Sequence, residues 1–396
     1  MKSALVFLLA SVAALSLQAQ TLTQALEQAW ARDPRAATFA PLGAQAQAGL
    51  TLAGALTAGP GVVSIGNTSD RLNARRGKQE WEVEFALPLW RPGQKERRVT
   101  EAERAQVDLA ASLVAHRLQL AGDLRAAWWS LALARNQVAL AEAQVQSAQA
   151  LEEDVRRRVA AGDLARIDAN LAQSETLTAQ GEALAAQTER RAAEQAWQLL
   201  TGLDAPSALM AEAPRNSESG DEHPMIAQAL AQSRLATARL RSTEASSADA
   251  PEIALRMVRE RGDFNEGYAN VVGVKLSIPL PSGARTAVAS AEQRAALAKA
   301  DAELSLARQQ VTVQVARART DLAATARELT WLRQRAALAA DTATLAEKSF
   351  ALGEFDLATV LRARAALIDV RKQVERQDLR ASSLQSQLHQ ALGLLP

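Results

Sequence analysis

The chain repeats itself at a period of 191 residues. Pro88 and Pro279, Gly162 and Gly353, and Gly202 and Gly393 are each separated by that interval, and Pro60 and Pro251 fall in step upstream. So long a period excludes a solenoid of short units and describes one strand-strand-helix-helix module used twice. Each copy opens on alternating strands that end at Leu87-Pro88-Leu89 or Ile278-Pro279-Leu280. It then enters a very long Ala-rich stretch, turns at Ala161-Gly162-Asp163 or Leu352-Gly353-Glu354, and returns as a second helix closing near Gly202 or Gly393. The expected division is a signal peptide at 1–19, a first repeat at 20–205 and a second at 206–396.

The address comes from the first residues. Lys2, the apolar run from Ala4 to Leu17 and the small Ala19 have the order of a secretory signal peptide. No later stretch is apolar for long enough to be a membrane-spanning helix. With 0 cysteines, disulfides, thiolate metal sites and a lipidated N-terminal cysteine are all excluded. A formal charge of +1 argues against a nucleic-acid partner.

Trp81, Val83, Phe85, Leu87 and Leu89 alternate with Glu82, Glu84 and Ala86, which predicts a strand with one apolar and one acidic face. Val272, Val274, Leu276 and Ile278 repeat the pattern against Gly273, Lys275 and Ser277. Weaker strands, Val62 to Asn67 and Glu252 to Arg259, complete two hairpins. Apolar-out, polar-in strands are the mark of a transmembrane β-barrel, and Trp81 and Trp90 near the strand ends read either as interface anchors or as packing residues. About four strands cannot close a barrel, so other copies of the chain must complete the sheet.

The first long helix is predicted from about Lys95 to Ala161, roughly 100 Å at 1.5 Å per residue. Leu124, Leu131, Val138 and Val145 recur every seven residues, with Ala127, Ala134, Ala141 and Ala148 three places after them. Val360, Leu367, Val374, Ala381 and Leu388 do the same in the last helix, beside Ala363, Val370, Gln377, Leu384 and Ala391. These are coiled-coil seams. Near the N-terminus, Thr23 reads as the start of a short helix, and Asp33-Pro34 and His223-Pro224 as N-caps followed by proline at the first helical position.

No catalytic constellation emerges, and no cofactor is expected. His116, His223 and His389 belong to no metal-ligand spacing and read as helix-surface or helix-entry residues. Asp163, Asp168, Glu354 and Asp356 follow the two tip glycines. There they either offset the helix macrodipole or form a charged iris or a docking surface.

Taken in order, Leu22-Thr23-Gln24-Ala25-Leu26, Asp33-Pro34, the duplicated strand-proline-helix units and the tips Arg158 to Asp163 and Phe350 to Phe355 resemble the TolC family of outer-membrane efflux proteins. The likeness covers essentially the whole mature chain. It implies a mainly α fold with a small β part, assembled as a homotrimer whose 12-stranded barrel in outer-membrane lipid continues into a periplasmic α-helical tunnel. The implied partners are a periplasmic adaptor and an inner-membrane transporter of the resistance-nodulation-division type. Adaptor docking maps to Arg158, Gly162, Asp163, Leu164, Phe350, Gly353, Glu354 and Phe355, and pore constriction to Asp168, Asp356, Thr359 and Arg362. Trp81, Val83, Phe85, Leu87, Val272, Val274, Leu276 and Ile278 would face the membrane. The best-studied members carry acids six and nine places after the second tip glycine. Thr359 and Arg362 stand there instead, so the resemblance does not carry a cation-binding ring to that place. Glu82 to Gly93 and Tyr268 to Leu280 are most similar to the CzcC-like branch, which serves heavy-metal pumps. The alternatives are a periplasmic adaptor, which has one helical hairpin between β-rich halves, and a secreted coiled-coil scaffold, which needs no apolar sheet face.

Overall fold

The computed structural model describes residues 21–215, 222–246, 249–280 and 282–396. The expected signal peptide lies outside them. Strands β1 (Val62–Ser69), β2 (Gln79–Pro88), β3 (Glu252–Arg261) and β4 (Ala269–Ser277) form one antiparallel sheet in that order. Each hairpin is local, whereas the β2–β3 pairing joins segments far apart in the chain, from Gln79↔Arg261 to Pro88↔Glu252. β1 and β4 are the sheet's two edges.

Seven α-helices accompany the sheet among the described residues: α1 (Leu22–Arg32), α2 (Phe39–Ala53), α3 (Gln94–Ala161), α4 (Arg166–Thr201), α5 (Pro224–Ala245), α6 (Gly283–Ala351) and α7 (Leu357–Ala391). With 68 and 69 residues, α3 and α6 are each about 100 Å long. The packing partners define a single layer. α2 and α4 lie along one side of α3, α5 and α7 fill the space between α3 and α6, and α6 ends the layer. The expected seams are the contacts: Leu124, Leu131, Val138, Ala141 and Ala148 of α3 are buried. On α7 the second heptad position is the deeper one, with Val370, Gln377 and Leu384 buried. Gln377 tolerates that site because its amide donates to Glu328 of α6 at 2.6 Å.

The helix starts near the N-terminus differ from expectation. Thr21, not Thr23, caps α1, in a reciprocal box with Gln24. Asp33 is the C-cap of α1 rather than an N-cap. Its carboxylate accepts from Arg35 N–H at 2.9 Å and meets His116 at 2.5 Å, and α2 starts only at Phe39 after a short 3-10 turn. His223 does cap α5, its Nδ1 accepting from Met225 N–H, with Pro224 as the first helical residue.

A belt of buried residues lies midway along α3. Leu22, Leu26 and Ala29 of α1 pack on Leu120, Leu124 and Trp128 of α3 and on Trp197 of α4, with the two indole rings 5.5 Å apart. Within this belt Arg125 is 3% exposed. Its guanidinium grips both oxygens of Glu212 at 2.8 and 2.9 Å, and also donates to Gln390 Oε1 and the Leu394 carbonyl. Glu212 lies in the segment after α4, while Gln390 and Leu394 belong to the C-terminal end, so one side chain ties three parts of the chain together. His389, read as a surface or entry residue, is instead fully buried. It faces this cluster, its Nε2 accepting from Arg215 N–H at 3.2 Å and its Nδ1 lying 3.7 Å from Glu212. Burial lowers the His389 pKa, outweighing the opposite pull of Glu212. Burial also pushes the Glu212 carboxyl up, but hydrogen bonds from Arg125 and Ser386 outweigh it and hold the group below its ordinary value.

Candidate functional site

Two surfaces at opposite ends of the long helices carry the residues of interest. On the sheet, cross-strand partners Val63, Phe85, Leu255 and Val274 make one row, and Ile65, Val83, Met257 and Val272 the next. All eight are exposed, as are Trp81 and Leu276. The opposite face holds Glu82 and Glu84, with Arg256 Nε 2.6 Å from Glu82 and Lys275 Nζ 3.9 Å from Glu84. The sheet is thus apolar on its solvent-facing side and salt-bridged on the other, the reverse of a sheet folded onto a core.

The expected membrane-facing residues fall on the apolar face with two qualifications. Leu87 is half-buried, and a Cβ on Gly61 would stand only 3.0 Å from its Cδ2. Ile278 is exposed but lies one residue past the end of β4. Trp81 sits across from Asn67 and Arg259 near the hairpin turns. There Arg259 and Arg261 lie 4.7 and 5.0 Å from the Tyr268 ring, forming an aromatic and cationic rim that the alternation pattern alone did not single out. Trp90 packs instead, donating its indole N–H to the Ala55 carbonyl.

At the other end both hairpins turn through glycine in the left-handed conformation, Gly162 at φ +88° and Gly353 at φ +78°. Each closes a double hydrogen bond: Asp163 N–H to Arg158 O with Gly162 N–H to Val159 O, and Glu354 N–H to Ser349 O with Gly353 N–H to Phe350 O. The two tips share one apolar cluster, in which Val155 and Leu164 of the first meet Phe350, Leu357 and Val360 of the second. Arg158 lies 5.0 Å from the Phe350 ring and also pairs with Asp154.

Leu352 and Phe355 are exposed on the second tip, beside Gly353 and Glu354. The acids serve locally. Asp168 accepts from Ala165 N–H at 3.1 Å, and Asp356 caps α7 through Thr359 N–H at 2.9 Å. The Thr359 bonds hold the Asp356 carboxyl below its ordinary value, and Arg362 reaches the Thr359 hydroxyl at 3.1 Å. No group of three His, Cys, Asp or Glu among the described residues is arranged to hold a metal ion. No helix among them is long and apolar enough to cross a membrane.

An antiparallel sheet with an outward apolar face, continuous with paired helices of about 100 Å, is a fold this chain shares with solved outer-membrane channels. The C-terminal part carries that likeness in sequence, since residues 217–394 match the model of the family described as Outer membrane efflux protein. In structure, the outer membrane protein VceC of Vibrio cholerae is similar with a TM-score of 0.78 at 18% identity, over 94% of this chain and 96% of that one. A membrane protein of Pseudomonas aeruginosa follows at 0.76 and 19%, over 94% and 93%. The open state of the MtrE outer membrane channel of Neisseria gonorrhoeae has a TM-score of 0.71 at 16%, over 94% and 89%. No curated protein sequence matches the chain.

Proposed function

We propose that the protein is the outer-membrane exit duct of a tripartite efflux pump. The observation that carries this reading is the sheet, whose apolar face is exposed and whose edge strands β1 and β4 are left to pair with other copies. Three copies would supply 12 strands, a closed barrel in outer-membrane lipid with the salt-bridged face inside. The helices support the same assembly. α6 ends the layer and exposes Trp331, Leu338 and Leu345 at seven-residue spacing, and α4 exposes Leu177 and Leu184 at the same spacing on the other side. Such stripes suit a seam between neighbouring copies.

In this reading the helical tips meet a periplasmic adaptor through Arg158, Gly162, Asp163, Leu164, Phe350, Gly353, Glu354 and Phe355. Asp168, Asp356, Thr359 and Arg362 line the narrow mouth. An inner-membrane transporter of the resistance-nodulation-division type supplies the energy, and the CzcC-like stretches at 82–93 and 268–280 support heavy-metal ions as cargo. Extraction of the mature protein with outer membranes as a trimer in detergent, conducting in planar bilayers, is the expected result. A protein that stays soluble without detergent as a monomer overturns the reading.

Gly162→Val or Gly353→Val tests the tips. A Cβ at either place meets nothing within 4 Å, so the penalty is conformational, about 1–2 kcal/mol for a non-glycine residue in the left-handed region. Trimers should persist while adaptor pull-down and efflux fall. Loss of the trimers themselves would remove the tip-specific role.

A further inference from the structure

We propose that the cleft between α3 and α5 is a binding site for phosphate-bearing anions. Arg97, Thr100 and Arg104 line it from α3, and Arg234, Thr237 and Arg241 from α5, around a cavity of about 650 Å³. Spacings of three and four residues put each trio on one stripe of its helix. The helices run antiparallel there, since Gln94 bonds Ser246, the Arg97 guanidinium donates to the Arg241 carbonyl at 3.1 Å, and Ser112 bonds Gln228. The same register sets Arg104 across from Arg234. Four guanidinium groups therefore converge on one groove.

Their neutralisation is what is missing. Among the described residues, none of these four arginines has an ion-pair partner, whereas the neighbouring Arg98 pairs with Glu101 and Arg125 with Glu212. The one acid on the cleft wall, Glu244, turns to Arg294 at 3.5 Å. Like charges held together without counter-charge favour an anionic ligand, and the planar fork of arginine matches phosphate oxygens two at a time. The two threonine hydroxyls donate back to the Glu96 and Ser233 carbonyls of their own helices at 2.8 and 3.0 Å, so the guanidinium groups are the donors the cleft offers. Both helices are interior to the layer, flanked by α2 and α6 of the same chain, so copies meeting at the layer's edges leave the groove open.

The source of the phosphate follows from height, and this step rests on the exit-duct reading. α3 starts at Gln94 beneath the sheet. Arg97 thus lies about 5 Å along its axis, at the level of headgroups if the sheet spans the hydrocarbon, and Arg104 lies about 15 Å along it, beyond that layer, so the upper end of the cleft is the part that would meet lipid phosphate.

The test uses the full mature chain in neutral detergent and in vesicles, comparing wild type with R104Q/R241Q and with the charge-keeping R104K/R241K. Pyrophosphate titrated calorimetrically should bind the wild type, and the glutamine pair should weaken that binding about tenfold or more, with the lysine pair in between. Vesicles containing phosphatidylglycerol should retain the wild type over phosphatidylcholine vesicles through the cleft, a preference the glutamine pair loses. Pyrophosphate binding without the lipid preference would assign the cleft to a soluble phosphate compound. A wild type that binds neither, or a glutamine pair that binds as the wild type does, overturns the proposal. Trimer mass and conductance measured on the same samples keep the two readings apart. Conducting trimers with a silent cleft would sink the cleft alone, and pyrophosphate binding by a protein that never inserts would sink the duct alone.

Discussion

Arg125→Ala is expected to cost about 3–5 kcal/mol of folding stability, because it removes the bidentate partner of buried Glu212, leaving it only the longer Arg215 ion pair at 3.8 Å, and frees the segment after α4 and the C-terminal end together. Denaturant unfolding of the detergent-solubilised protein measures the loss, and Glu212→Gln in the same background should recover part of it. A change below 1 kcal/mol would mean that the belt holds without its ion pair. Acid should weaken the same region. Glu212 has a lowered folded pKa, so its contribution is present above the unfolded carboxylate value and is lost as pH falls through the folded one. His389 and His223 are also lowered, chiefly by burial, so the unfolded chain takes up their protons first and stability declines as pH drops below the ordinary histidine range. Hydrogen exchange should show the belt opening between neutral pH and pH 5 before the α3–α4 seam does.

The second large effect belongs to the sheet. Val83→Arg or Val274→Arg places a cation in the middle of the apolar face, where a lipid-facing charge costs about 2–4 kcal/mol. Ser64→Arg, on the opposite face beside Glu84, is the matched control and should insert normally. Membrane partition and bilayer conductance read both. Equal behaviour of the two faces would show that neither meets lipid.

The sequence was most legible where a short period repeats for long. The seven-residue recurrence of Leu124, Leu131 and Val138 and the two-residue alternation from Trp81 to Leu87 each identify a buried or apolar face without tertiary information. The tip glycines were legible because a left-handed helix end leaves few alternatives to glycine. The belt was not. Arg125 and Glu212 are 87 positions apart, and the segment carrying Glu212 has no periodicity to mark it. One clue stood in plain sight: Arg125 lies between the seam residue Leu124 and Trp128, where a charge cannot reach solvent without leaving the packed face. Asp33-Pro34 misled because an aspartate can end one helix as readily as begin another, and the short-range pattern does not reveal the His116 that engages it. The arginine cleft stayed hidden because its two stripes meet only once α3 and α5 are set in register.

The β2–β3 pairing has a consequence for how the chain comes into being. As polypeptide emerges from its N-terminus, β2 waits for a partner strand that begins 164 residues after Pro88 ends it, with Glu252 (252−88). Meanwhile the α3–α4 hairpin can zip locally, since its contacts are close in sequence. For that interval the half-made molecule is a helical hairpin, still without α7, bearing a sticky, unfinished ribbon, the state most prone to pair with the wrong neighbour. Mispairing between two incompletely exported chains would join β2 of one to β3 of the other, so crowding where the chains fold, more than weakness of the mature fold, should set the yield of correctly built protein.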